Sequence, residues 1–134
     1  MGSESMTMTS ILEVLPVQFR AALRGLDWDK IQELRLRSGY PLGIKRVGER
    51  EAAHNAAHDP AHDAAGVVRA EDVAAVLAAA TRQSAYSAQE TLREGYLTLE
   101  GGHRVGVCGT LVLRGGEPYS MKDVTSLNIR VAHD

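Results

Sequence analysis

The alternation of apolar and polar positions changes period several times along the chain, and each change marks an element. Ile11, Leu12, Val14, Leu15, Phe19, Ala22 and Leu23 recur at helical spacing, with Thr9 or Ser10 placed to cap the run. Pro16 interrupts it. A short first turn is therefore expected, then a helix that takes Pro16 into its own first turn and stops at Gly25. Between Ile31 and Lys45 the period falls to two: Leu34 and Leu36 alternate with Glu33, Arg35 and Arg37, as in a half-buried strand. Ser38-Gly39-Tyr40-Pro41 is turn chemistry, and Leu42 and Ile44 resume the apolar face, so this segment reads as a hairpin.

Residues 48–66 break the pattern. Glu51 to Ala65 is nearly all Ala, His and Asp, interrupted by Pro60, with no periodic apolar face to join a core, and reads as a flexible loop. Helical spacing returns over Ala70 to Ser84. Glu71 and Asp72 sit in the first turn, where the helix dipole favours acids, and Val73, Val76, Leu77 and Ala80 form the buried stripe. A second short helix, Ala85 to Glu94, ends at Gly95. Strands follow: Tyr96 to Leu99, then His103 to Leu113, in which Val105, Val107, Leu111 and Leu113 share one face and Arg104, Cys108, Thr110 and Arg114 the other. Gly115-Gly116 signals a hairpin turn. The last strand, Thr125 to Val131, points Leu127, Ile129 and Val131 inward and Ser126, Asn128 and Arg130 outward. The expectation is an α+β fold, helices packed on a mainly antiparallel sheet, in a single compact domain over 9–134. Residues 1–8 resemble a cloning remnant and are expected to be disordered.

Composition narrows the function classes. Hydrophobic residues make up 44% of the 134 positions and aromatics 4%, so the core must be aliphatic. Basic residues number 15 against 17 acidic, a net charge of −2, which argues against a free nucleic-acid-binding module driven by phosphate neutralisation. Cys108 is the single cysteine, no apolar run approaches the ~20 residues of a membrane span, and no signal peptide is visible, so a cytoplasmic location without membrane insertion is expected.

Motifs for chemistry mostly fail. His54, His58 and His62 are spaced four apart, but Pro60 disfavours a common helix and no cysteine completes a structural zinc site, so no metal is expected. Gly101, Gly102, Gly106 and Gly109 lie in and before a strand rather than opening a helix, and no Gly-Lys pair exists for a P-loop. Bulges or close backbone approach are the expected use of such glycines. Cys108 lacks a base, because His103 falls on the opposite strand face, and Glu90 with Glu94 reads as a solvated helix face. With no convergent set of titratable groups, a free-standing enzyme is disfavoured. The outward arginines remain. Arg35 and Arg37 on the hairpin, with Arg104 and Arg130 on the C-terminal sheet, are candidates for an anion or an acidic partner.

Three separated segments carry a family resemblance: Glu33-Leu34-Arg35-Leu36-Arg37-Ser38-Gly39-Tyr40-Pro41, Gly95-Tyr96-Leu97-Thr98-Leu99-Glu100-Gly101-Gly102-His103-Arg104-Val105-Gly106, and Ser126-Leu127-Asn128-Ile129-Arg130-Val131-Ala132. Together they resemble the amino-terminal region of the stage III sporulation protein AA family, over nearly everything from Ile11 to His133. The Ala/His-rich stretch after Gly48 departs from that pattern. The resemblance implies a cytoplasmic, mother-cell ATPase of endospore-forming bacteria, similar to type II and type IV secretion motors. Such a protein would act as a homo-hexamer with the membrane channel proteins that link mother cell and forespore. It implies a P-loop domain beyond Asp134 that uses ATP and Mg2+. The present chain would then be a positioning and assembly domain, inactive alone and holding no cofactor itself. By the same analogy Arg104 and Arg130 would reach nucleotide held by the motor domain, and Arg35 and Arg37 would contact partners. A nucleic-acid-binding module is the alternative.

Overall fold

Pro16 decides where the first long helix begins. Its φ of −56° and ψ of 150° make it the N-cap rather than a helical residue, and α1 runs Val17–Leu23 behind it. The predicted short turn precedes it at 9–12. These assignments come from a computed structural model, which describes residues 9–49 and 66–133. The predicted disordered start, most of the predicted loop and all three spaced histidines lie outside the described residues.

The remaining elements in chain order are a 3-10 turn at Trp28–Lys30, β1 (Ile31–Arg37), β2 (Gly43–Arg46), α2 (Ala70–Ala80), α3 (Ala85–Glu94), β3 (Tyr96–Thr98), β4 (Arg104–Arg114) and β5 (Glu117–Arg130). The five strands form one sheet in the order β2-β1-β5-β4-β3, with every neighbouring pair antiparallel. The helices pack on one side, giving a single compact α+β domain. Between them and the sheet lies an aliphatic core that includes Ile11, Leu15, Phe19, Leu23, Leu34, Leu36, Val73, Val76, Val105, Leu127 and Ile129, all essentially without solvent contact.

Local chemistry sets the element ends. Asp72 accepts a hydrogen bond from the Arg69 N–H at the start of α2, and Ser84 caps α3 by accepting from the Ser87 N–H. Gly95 closes α3 in the left-handed region, φ 88°. The α2 helix stops at Ala80, four residues before the expected Ser84, because Arg82 and Gln83 take positive φ and the chain turns at once into α3. Trp28, which no periodicity singled out, is buried under the start of β1 and donates its Nε1–H to the Leu23 carbonyl. After the undescribed stretch, Val67 bridges Pro41, and Val68, fully buried, exchanges backbone bonds with Gly39 and Tyr40.

Two further findings differ from the sequence reading. The final strand begins at Glu117, eight residues before Thr125, and ends at Arg130. Leu111 and Leu113 keep the face of Val105 and Val107 but stand 51% and 56% exposed, because the β4–β5 hairpin runs out past the helices that bury the other two. The hairpin leaves the sheet at a bulge. Cys108 pairs with Ser126 but Thr110 with Lys122, so β5 carries two extra residues opposite Gly109, and Asp123 takes a φ of 52°. A Cβ on Gly109 would lie 2.7 Å from the Lys122 carbonyl oxygen, the close backbone approach expected of a strand glycine. Gly109→Val should therefore destabilise the chain by about 1–3 kcal/mol in denaturant melts. Gly106→Ala, whose Cβ meets nothing nearer than 3.9 Å, should cost less than half as much.

Candidate functional site

With the helices confined to one side, the alternation that buries Leu34, Leu36, Val105, Val107, Leu127 and Ile129 sends every intervening residue to the opposite, helix-free face. Cross-strand register then sets those residues in rows. One row runs Thr98, Arg104, Arg130, Glu33, Lys45. The next runs Tyr96, Gly106, Asn128, Arg35, Gly43. A third holds Cys108, Ser126 and Arg37. All four arginines singled out from the sequence share this face.

Residues directly opposite in an antiparallel pair have Cβ atoms about 4.5–5.5 Å apart, so like charges there repel. Arg104 and Arg130 are such a pair. Glu33, opposite Arg130 on its other side, is the one carboxylate in the three rows, and it is already engaged by the Arg35 Nε at 3.1 Å. Neither Arg104 nor Arg130 forms an ion pair among the described residues. Arg104 instead lies over the Tyr96 ring, 4.7 Å from its centroid, and Arg37 lies 3.9 Å from the centre of the Tyr40 ring. Two facing guanidiniums, neither ion-paired among the described residues, concentrate positive charge at one spot of this face, a chemistry suited to an anion.

A depression of about 420 Å³ opens at this spot, lined by Glu33, Gly102, Arg104, Gly106, Asn128, Arg130, Val131 and Ala132. Gly106 leaves the floor of the middle row without a side chain, so the Asn128 amide is within reach. Arg35 and Arg37 lie one and two rows away and do not line the depression. Among the described residues no group of three or more His, Cys, Asp or Glu could hold a metal, and no helix is long and apolar enough to cross a membrane. Cys108 is exposed and His103 buried, on opposite faces, so they form no catalytic pair.

The wall of the depression depends on His103, which no motif or periodicity in the sequence singles out. Its ring is completely buried. Nδ1 accepts the Ala132 N–H at 2.9 Å, which leaves the ring proton on Nε2, for which there is no acceptor among the described residues. Gly101 makes room for it: with φ 95°, a Cβ there would sit 2.9 Å from Nε2. Three consecutive residues are tied down in this way. The Val131 N–H bonds the Gln32 carbonyl at 2.9 Å, Ala132 bonds His103, and His133 Nε2 lies 2.7 Å from the Ile31 carbonyl oxygen.

Comparison with known proteins decides the family. The family model described as "Sporulation stage III, protein AA" matches residues 6–134. The chain belongs to that family. Stage III sporulation protein AA of Bacillus subtilis (strain 168) is 34% identical over 128 residues, which is 93% of this chain. The match spans 38% of the length of that relative. No solved structure matches the chain. In this stage III AA family member, the three segments that carried the resemblance are β1 with its turn, β3 to the start of β4, and the end of β5. They supply most of the open face, and the glycines and His103 that shape the depression.

Burial, and secondarily the charge of nearby His133, holds the His103 imidazole below its usual pKa of 6.5. The folded chain thus keeps the ring neutral while the unfolded chain protonates it near 6.5. That preference contributes full stability above about pH 6.5 and is progressively lost as the pH falls from there toward the lower folded value. Unfolding free energy measured from pH 8 to pH 5 should drop in this window, and the drop should shrink in His103→Gln. An unchanged pH profile in that variant would remove His103 as the cause.

Proposed function

We propose that this chain is the amino-terminal positioning and assembly domain of a sporulation ATPase similar to type II and type IV secretion motors. In this reading it works in the mother-cell cytoplasm, in a homo-hexamer at the channel that connects mother cell and forespore. Its immediate partner is its own P-loop domain, which would hold ATP and Mg2+; this chain has no Gly-Lys pair with which to do so. Membership of the stage III AA family supports the sporulation context, and the match to 38% of a longer relative leaves room for a motor elsewhere in that protein.

The observation that carries the reading is the facing pair Arg104 and Arg130, exposed above a glycine-floored depression without a carboxylate of their own. An arginine brought to a polyphosphate from a second domain neutralises charge that develops during phosphoryl transfer. Arg130 is held between Glu33 and Arg104 by strand register rather than by a flexible loop, so its approach would follow the motion of the whole domain. Arg35 and Arg37, farther along the same face, suit an acidic surface of a neighbouring subunit.

A nucleic-acid-binding reading draws on the same face, since Tyr96 and Tyr40 lie under Arg104 and Arg37. The overall charge of −2 weighs against it. Oligonucleotide affinity that falls steeply with salt would favour it.

In the longer chain carrying the motor domain, Arg104→Ala and Arg130→Ala should each lower ATP hydrolysis at least about tenfold while leaving the fold intact. Arg35→Ala and Arg37→Ala should weaken hexamer formation. Wild-type hydrolysis in both Arg104→Ala and Arg130→Ala would sink the nucleotide assignment.

A further inference from the structure

The projecting β4–β5 arm has two long edges, and they are not alike. On the inner part of the sheet both strands are covered: β1 pairs with β5 from Ser126 to Arg130, and β3 pairs with β4 from Arg104 to Gly106. Beyond those limits, Cys108–Arg114 and Glu117–Val124 meet no further strand among the described residues. Exposed edges template unwanted pairing, and proteins blunt them with proline, charge and bulges. The free edge of β5 carries all three: Pro118, Lys122 and Asp123, and the two extra residues opposite Gly109. The free edge of β4 carries none of them over Thr110-Leu111-Val112-Leu113, a run of strongly strand-forming residues.

The arm is also two-sided. Leu111 faces Met121 and Leu113 faces Pro118, which makes one side apolar. Thr110 faces Lys122, Val112 faces Ser120 and Arg114 faces Glu117 on the other. The apolar side continues the core, because Met121 and Val124 pack against it, yet no helix extends far enough to cover the leucines.

We propose that the open edge of β4 pairs antiparallel with the β4 edge of a second copy of this chain, about a two-fold axis at Val112. The sequence is self-complementary in that register. Leu111 falls opposite Leu113 twice, Val112 opposite itself and Thr110 opposite Arg114, so no like charges meet. Gly109 falls opposite Gly115, so no side chains meet at the ends of the pairing. Moving the axis one residue either way leaves a leucine facing a glycine, Leu113 on Gly109 or Leu111 on Gly115. A hairpin with two free sides is marginal in water, and the pairing turns two of them into one four-stranded ribbon with a joined apolar face. The contact is isologous and joins copies pairwise, and it does not rest on the functional reading above.

The test is sedimentation equilibrium on this chain. Wild type should show a concentration-dependent monomer–dimer equilibrium. Leu111→Lys and Leu113→Glu, at positions more than half exposed, should each weaken the dimer at least about tenfold, since the symmetry repeats the mismatch. Mixing the two variants should restore it, because Lys then faces Glu at one of the two equivalent contacts and Leu faces Leu at the other. A wild-type chain that stays monomeric at every concentration would overturn the proposal, with the edge left for a strand of another protein. So would a dimer that Leu111→Lys leaves intact, or variants that fail to rescue each other.

Discussion

One strand register fixes both faces of this sheet. β5 is paired on both sides, with β1 at Leu36↔Leu127 and Leu34↔Ile129 and with β4 at Val107↔Leu127 and Val105↔Ile129. Those pairings bring six aliphatic side chains together under the helices. By the same stroke they set Arg104 opposite Arg130, Arg130 opposite Glu33 and Gly106 opposite Asn128 on the other side. Because side chains alternate with a period of two, a slip of one residue between any two of these strands would invert both faces at once. The hydrophobic core and the cationic face are therefore two consequences of a single constraint, and the burial energy of the first holds the second in place.

That coupling explains how the sheet tolerates an arrangement it would not adopt for its own sake. Facing guanidiniums cost stability, and the single carboxylate among the three rows is already committed to Arg35. Undoing the pairing of those six aliphatic residues would cost far more than the repulsion recovers, so the arginines stay opposite each other on the open face. His103 adds a second internal cost. Its buried Nε2 lacks a partner among the described residues, while Nδ1 fixes Ala132 at the rim of the depression and His133 holds the chain direction.

Much of this was legible in the sequence, and the reasons differ by element. The period-two runs in β1, the start of β4 and the end of β5 were strong because each has one face buried and one exposed. The boundaries of α3 were clear because Ser84 and Gly95 are an N-cap and a C-cap that work locally. The outer half of β5 is hard to read because its faces are at most partly buried, and the bulge and Pro118 break any alternation over Glu117 to Val124. Trp28 lies in a single 3-10 turn, too short for any periodicity. The exposure of Leu111 and Leu113 depends on how far the helices extend over the sheet, which no strand pattern contains. For the site, the outward arginines were readable one strand at a time. That Arg104 and Arg130 face each other, with Arg35 and Arg37 displaced along the same surface, is a fact of long-range register. His103 looked like a strand residue, and its burial follows from the glycine turn at Gly101 and Gly102.

The proposed function rests on the helix-free face being an anion-binding surface centred on Arg104 and Arg130. Titrating isotope-labelled chain with pyrophosphate, as the simplest polyphosphate, and following the amide and arginine Nε resonances by NMR tests it most directly. Saturable shifts are expected at Gly102, Arg104, Gly106, Asn128, Arg130 and Ala132, with the helices unaffected. Shifts spread over unrelated surface arginines, or none at these residues up to millimolar ligand, would contradict it.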